Sequence, residues 1–219
     1  MLREYRIPPA SGGPTGHAVV FLHGLGDSGQ GGLLSIGGIW QAALPADTEF
    51  LCPDAPFAFD MAPAEDGGRQ WFSMRDFSPM SMLTGAKSAA KHLNEYIDHV
   101  MASRGLKPRN LALVGFSQGA IMALYAGLRR PEQVAGIIGY SGVLVGWENL
   151  AREKKSSPPV LLVHGTADDV VSYAFFAPSV QGLQAAGIPV TEVTCPGAGH
   201  GIDDLGLAEG QKFLKKILI

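Results

Sequence analysis

Six short, mostly apolar runs recur along this chain, at Ala18–Leu22, Glu49–Cys52, Leu111–Gly115, Gly136–Tyr140, Val160–His164 and Val190–Thr194. Each is too short for a helix and most are too apolar for a strand with one wet face, so they read as strands of a sheet covered on both sides. Most of the segments between them repeat apolar residues at helical spacing. Parallel strands need crossovers of a dozen or more residues, usually helical. The pattern therefore predicts an α/β fold, a mainly parallel central sheet with helices on both faces.

The helices have their own signals. After Thr84, residues Ala86, Ala89, Ala90, Leu93, Ile97, Val100 and Met101 lie on one face, and Gly105 suits a C-terminal stop. A second helix runs from Gln118 to about Arg130. Its Ala120, Ala123, Ala126 and Gly127 allow close approach to the sheet, and Arg129-Arg130-Pro131 ends it. Leu207, Leu214, Ile217 and Leu218 suit a last amphipathic helix. After Ser172 a helix should be kinked or delayed by Pro178. The 219 residues read as a single domain over 1–219, interrupted by one long irregular segment, 53–83. That segment is rich in Pro, Asp, Met and aromatics, and loops of such length in a compact domain are usually functional.

Bulk properties exclude several classes. Hydrophobic residues are 46% and charged ones 17%, which argues against disorder. A net charge of −3 provides no electrostatic footprint for nucleic acid or anionic lipid. Two cysteines, Cys52 and Cys195, are too few for a disulfide framework and suggest a reducing, cytoplasmic setting. The opening MLREYRIPPASGG lacks a secretory pattern, and no apolar run approaches the ~20 residues of a membrane helix.

The chemistry centres on Gly115-Phe116-Ser117-Gln118-Gly119, a G-x-S-x-G fed by a strand and followed by a helix. That setting suits a nucleophile elbow, which presents a serine oxygen at the C-terminal edge of a sheet. A serine hydroxyl needs a base to take its proton and an acid to orient the base. The run Val160–Asp169 supplies a strand and then carboxylates at Asp168 and Asp169, between which spacing alone does not choose. Among six histidines, His200 follows both serine and acid on the glycine-flanked loop Pro196–Gly201. His23 and His164, at strand ends, are better read as structural hydrogen-bonding groups.

Gly24, Gly26 and Gly29 also form G-x-G-x-x-G after a strand. A dinucleotide-binding oxidoreductase is thus an alternative, although His23 before the motif and the glycines at 31, 32, 37 and 38 after it fit poorly. A catalytically silent binding protein is the other alternative, disfavoured by a full set of triad residues.

Together HGLGDSG, GFSQGA, HGTADDVV and GAGHGI resemble the phospholipase/carboxylesterase family of α/β-hydrolases, which includes the acyl-protein thioesterases. The resemblance covers nearly the whole chain and implies the α/β-hydrolase fold, with Ser117 as nucleophile, Asp168 as acid and His200 as base. It selects Asp168 over Asp169 through the H-G-x-x-D spacing. It implies an oxyanion hole from the backbone N–H groups of Leu25 and Gln118, so that Gly24 and Gly26 shape that hole. Because the donor is a main-chain group, the Gln118 side chain is expected to matter less. No cofactor or metal is expected.

Trp71, Phe72 and Phe77, from segment 53–83, and Val170, beside the acid, are expected at the substrate-binding pocket; the alternative for Trp71 and Phe72 is that they anchor the loop on the core. The expected substrate is a small-molecule carboxylester of short-to-medium acyl chain, with lysophospholipid or acyl-protein thioester as alternatives. No cysteine precedes Cys52, so the lipid-anchoring cysteine of animal thioesterases has no counterpart and no stable membrane anchoring is expected. Oligomeric state is left open.

Overall fold

A computed structural model describes residues 2–62 and 67–219. Its strands in chain order are β1 (Glu4–Ile7), β2 (His17–Leu22), β3 (Thr48–Pro53), β4 (Phe57–Ala58), β5 (Arg69–Gln70), β6 (Leu111–Phe116), β7 (Gly136–Tyr140), β8 (Val160–Gly165) and β9 (Val190–Cys195). The helices are α1 (Gly32–Trp40), α2 (Pro79–Arg104), α3 (Gln118–Arg129), α4 (Trp147–Glu153), α5 (Phe176–Ala185) and α6 (Asp204–Leu218). The sheet order is β1-β3-β2-β6-β7-β8-β9, while β4 and β5 form a separate two-stranded ribbon. All neighbours in the large sheet are parallel except β1 and β3.

Strand apolarity has a direct physical cause. Ala18, Val20 and Leu22 of β2 enter one core, while Val19 and Phe21 enter another. The same alternation continues in β6, where Leu111 and Leu113 oppose Ala112 and Val114. One core packs against α2, α3, α4 and α5 and the other against α1 and α6. All six expected strands are present, each within a residue of its expected bounds. No helix among the described residues is long and apolar enough to cross a membrane.

The differences lie where packing or charge overrides local pattern. Helix α2 starts at Pro79 rather than after Thr84, because Ser78 caps it by accepting from the Ser81 N–H and Pro79 sits in its first turn. Segment 53–83 thus contains the β4–β5 ribbon and the first turn of α2. Gly105 ends α2 in the left-handed conformation, as expected. Pro178 falls in the first turn of α5, where its missing N–H costs no helical bond. Glycine-rich Gly32–Trp40 still forms α1, whose Leu33, Ile36 and Trp40 are buried, with Gly37 resting on the Phe50 ring. Burial there outweighs poor helix propensity.

Strand β1 has no apolar signature because charge fixes it. Arg104 donates to Glu4 at 2.8 Å and to Glu49 at 2.6 Å, and Arg6 and Thr15 also reach Glu49. Tyr96 donates to Glu4 at 2.8 Å.

Candidate active site

In parallel α/β sheets, ligands bind beyond the C-terminal ends of the strands. The turns leaving β2, β6, β8 and β9 carry His23–Asp27, Ser117, Asp168 and His200, so four separate loops deliver these residues to one edge.

Ser117 stands between β6 and α3 with φ 53° and ψ −118°, a conformation L-residues avoid. Such strain persists only when the surroundings enforce it. Here the Ser117 N–H donates to Tyr140 O at 2.9 Å, and its carbonyl accepts from the first turn of α3. The turn is also crowded. A Cβ on Gly119 would overlap the Leu22 carbonyl, and one on Gly115 would overlap the Gly119 backbone. Both glycines of G-x-S-x-G are therefore steric requirements.

Asp168 and His200 meet, with His200 Nδ1 at 2.9 and 3.0 Å from the two carboxylate oxygens. Asp168 Oδ1 also accepts the N–H groups of Val170 at 3.0 Å and Val171 at 2.8 Å. Burial pushes this carboxyl up. The hydrogen bonds to His200, Val171 and Val170 and the charge of His200 outweigh it, holding the group below the usual carboxylate range. His200 also packs on the Phe116 ring, centroids 4.8 Å apart. Asp169 is exposed.

Ser117 and His200 line one cavity of about 460 Å³. Among the described residues no hydrogen bond joins the Ser117 hydroxyl to His200, and such bonds are often long in unliganded sites. Leu25 and Gln118 line the same cavity, and neither N–H donates to a protein acceptor among the described residues. The walls are apolar, formed by Met74, Phe77, Met82, Ile121 and Val143 with Val170, Val171 and Phe175 at the rim. A larger concavity of about 710 Å³, near Arg3, Asp54 and Tyr96, contains none of Ser117, Asp168 and His200.

Two expected pocket residues are corrected. Trp71 and Phe72 do not line the cavity but are buried beneath it. Trp71 donates from Nε1 to His23 O at 3.1 Å, and Phe72 fills the space above Gly85 of α2. They anchor the segment on the core. Phe77 and Val170 do line the cavity and are 64% and 68% exposed. Met74, Met82, Phe116, Ile121, Val143 and Phe175 were not anticipated. Only Phe116, inside G-F-S, carried a local signal.

His23 and His164 are structural. His23 accepts the Ala55 N–H at Nε2, so the proton sits on Nδ1 and donates to Gly24 O at 2.8 Å. Burial holds its pKa below the ordinary histidine value. His164 donates from Nε2 to Val171 O at 2.8 Å and lies edge-on to Tyr173 and Phe176. The Gln118 side chain is buried with both its polar atoms bonded, accepting from Trp71 N–H and donating to Phe72 O.

The sequence profile of the Phospholipase/Carboxylesterase family matches residues 9–218. Acyl-protein thioesterase 1 of Gibberella zeae is 30% identical over 215 residues, covering 91% of this chain and 90% of that protein. A Dictyostelium discoideum homologue of acyl-protein thioesterase 1 is also 30% identical, with the same coverage of both chains. Among solved structures, esterase PE8 is 38% identical with a TM-score of 0.92 over 99% of each chain. Acyl-protein thioesterase 2 of Zea mays is 26% identical with a TM-score of 0.76 over the whole of both chains. The α/β-hydrolase architecture, the order of the motifs and these relatives agree: the chain belongs to the phospholipase/carboxylesterase family, a family of ester hydrolases.

Proposed function

We propose that this protein is a serine carboxylesterase acting on short-to-medium acyl esters through Ser117, His200 and Asp168. The observation that carries the reading is the Asp168–His200 contact opening into the cavity where Ser117 is held at φ 53°. Asp168 accepts from His200 Nδ1–H, which leaves Nε2 free as the base. Ser117 Oγ attacks the acyl carbonyl as Nε2 takes its proton. The carbonyl oxygen becomes an oxyanion held by the Leu25 and Gln118 N–H groups, each such donor worth about 3–4 kcal/mol. Collapse breaks the bond to the leaving alcohol, which takes the proton from His200. Water then repeats the sequence on the acyl-enzyme.

Apolar walls from segment 53–83 (Met74, Phe77 and Met82) receive the acyl chain in this reading. The family and the acyl-protein thioesterases among its relatives favour a second reading, in which the leaving group is a thiol. The triad steps are the same. A panel of p-nitrophenyl esters, a lysophospholipid and an S-acyl peptide, run with wild type and Ser117→Ala, tests both. The carboxylesterase reading expects the highest kcat/KM on C2–C8 esters and near-complete loss in Ser117→Ala. Highest kcat/KM on the S-acyl peptide would replace it with the thioesterase reading. Full activity in folded Ser117→Ala would remove both.

A further inference from the structure

The two proposed oxyanion donors belong to different elements. Leu25 lies in the turn after β2, whereas Gln118 begins α3. An oxyanion needs both at about 2.7–3.1 Å at once, and a misplacement of about 1 Å can cost ~10²-fold in rate. Something must set their separation.

One short segment touches both sides. On the Leu25 side, the Gly26 N–H donates to Arg69 O at 2.9 Å and the Arg69 N–H to Asp27 O at 2.8 Å. Trp71 Nε1–H adds a bond to His23 O at 3.1 Å. On the α3 side, Gln118 Oε1 accepts the Trp71 N–H at 2.8 Å and Gln118 Nε2 donates to Phe72 O at 2.8 Å. The amide orientation is fixed by its partners, since Trp71 N–H can only donate and Phe72 O can only accept. Gln118 is 2% exposed, so water does not substitute for either bond.

We propose that Arg69–Phe72 is a brace registering the two halves of the oxyanion hole, and that the Gln118 carboxamide latches it to the elbow. The inference rests on the reading of Leu25 and Gln118 as donors. Gln118 thus contributes a main-chain donor and a positioning side chain.

Gln118→Met tests the latch, because it keeps the volume and main chain and removes both hydrogen bonds. Kinetics on p-nitrophenyl acetate are normalised to functional sites by fluorophosphonate titration. The expected result is a 10–100-fold lower kcat, KM within about threefold, and a trifluoromethyl ketone weakened by the same factor as kcat/KM. Gln118→Glu is the rescue. As a protonated acid it accepts from Trp71 and donates to Phe72, whereas the carboxylate opposes the Phe72 carbonyl. Its kcat relative to wild type at the same pH should therefore rise as pH falls, which a packing role would not produce.

Wild-type kcat and ketone affinity in folded Gln118→Met would overturn the proposal. So would an altered acyl-chain profile with kcat preserved, which would assign the side chain to the pocket wall. If Gln118→Met does not fold, Trp71→Phe removes the bond to His23 O together with part of the buried indole, and should lower kcat with KM unchanged. Wild-type kinetics there would overturn the brace. Failure of the serine-esterase reading beneath it is distinguishable, since wild type would then show no titratable Ser117.

Discussion

Replacing Asp168 by Asn should nearly abolish turnover while leaving the fold intact. Asn can keep its oxygen at Oδ1, where the Val170 and Val171 N–H groups donate at 3.0 and 2.8 Å. Its NH₂ then occupies the Oδ2 position, 2.9 Å from His200 Nδ1 and 3.3 Å from His164 Nε2. His164 Nε2 already carries a proton for Val171 O, so a donor there meets a donor. With NH₂ at Oδ2, His200 Nδ1–H loses its acceptor at 2.9 Å and keeps only Oδ1 at 3.0 Å, already bonded by two N–H groups, which favours accepting at Nδ1 and carrying the proton on Nε2. In that tautomer His200 cannot take the proton of Ser117. The wrong tautomer in a Ser-His-Asp triad costs about 10⁴-fold in kcat, which corresponds to roughly 5.5 kcal/mol. Steady-state kinetics on p-nitrophenyl acetate, with thermal melts of Asp168→Asn and Asp169→Asn, provide the assay. Exposed Asp169→Asn should remain within a few-fold of wild type. A folded Asp168→Asn within tenfold of wild type, or a collapse confined to Asp169→Asn, would refute the reasoning.

Pocket and anchor aromatics should separate cleanly. Phe77→Ala should leave the melting temperature almost unchanged and move the acyl-chain optimum on p-nitrophenyl esters, each lost methylene contact being worth about 0.8 kcal/mol. Trp71→Ala, fully buried, should cost about 3–5 kcal/mol in chemical denaturation. The Glu49 network predicts acid sensitivity. Burial pushes the Glu49 carboxyl up, but the hydrogen bonds from Arg104 and Thr15, the Arg104 charge and the Arg6 bond hold it below the ordinary value near 4.5. A depressed pKa means that its contribution is complete above that value and is lost as pH falls through the folded one. Arg104→Met should destabilise by about 3 kcal/mol at pH 7 by leaving Glu49 only its Thr15 and Arg6 bonds, with a smaller penalty once acid neutralises the carboxyl. An equal penalty at pH 7 and pH 4 in urea titrations would contradict this.

Legibility followed the range of the forces involved. Strands β2, β6, β7 and β8 were readable because burial on both faces leaves little choice of residue. The elbow was readable because Gly115 meets the backbone of Gly119 four residues on, and because the motif sits between a strand and a helix, although Gly119 itself answers to the distant Leu22 carbonyl. Segment 53–83 was not, since apolar residues there go to anchors and walls alike. Trp71 and Phe72 differ from Phe77 only in which distant elements they meet, His23 and Gly85 in one case and the cavity in the other. Strand β1 and the Gln118 latch depend on polar partners 43 to 100 residues away in sequence, which no local pattern encodes.

The central claim is that Ser117 is the nucleophile activated by His200. Treatment with a fluorophosphonate, followed by intact mass and peptide mapping, tests it most directly. One adduct per chain is expected, on the peptide containing Ser117, absent in Ser117→Ala and formed orders of magnitude more slowly in His200→Ala. An adduct on another residue, or labelling of Ser117 at an unchanged rate without His200, would contradict it.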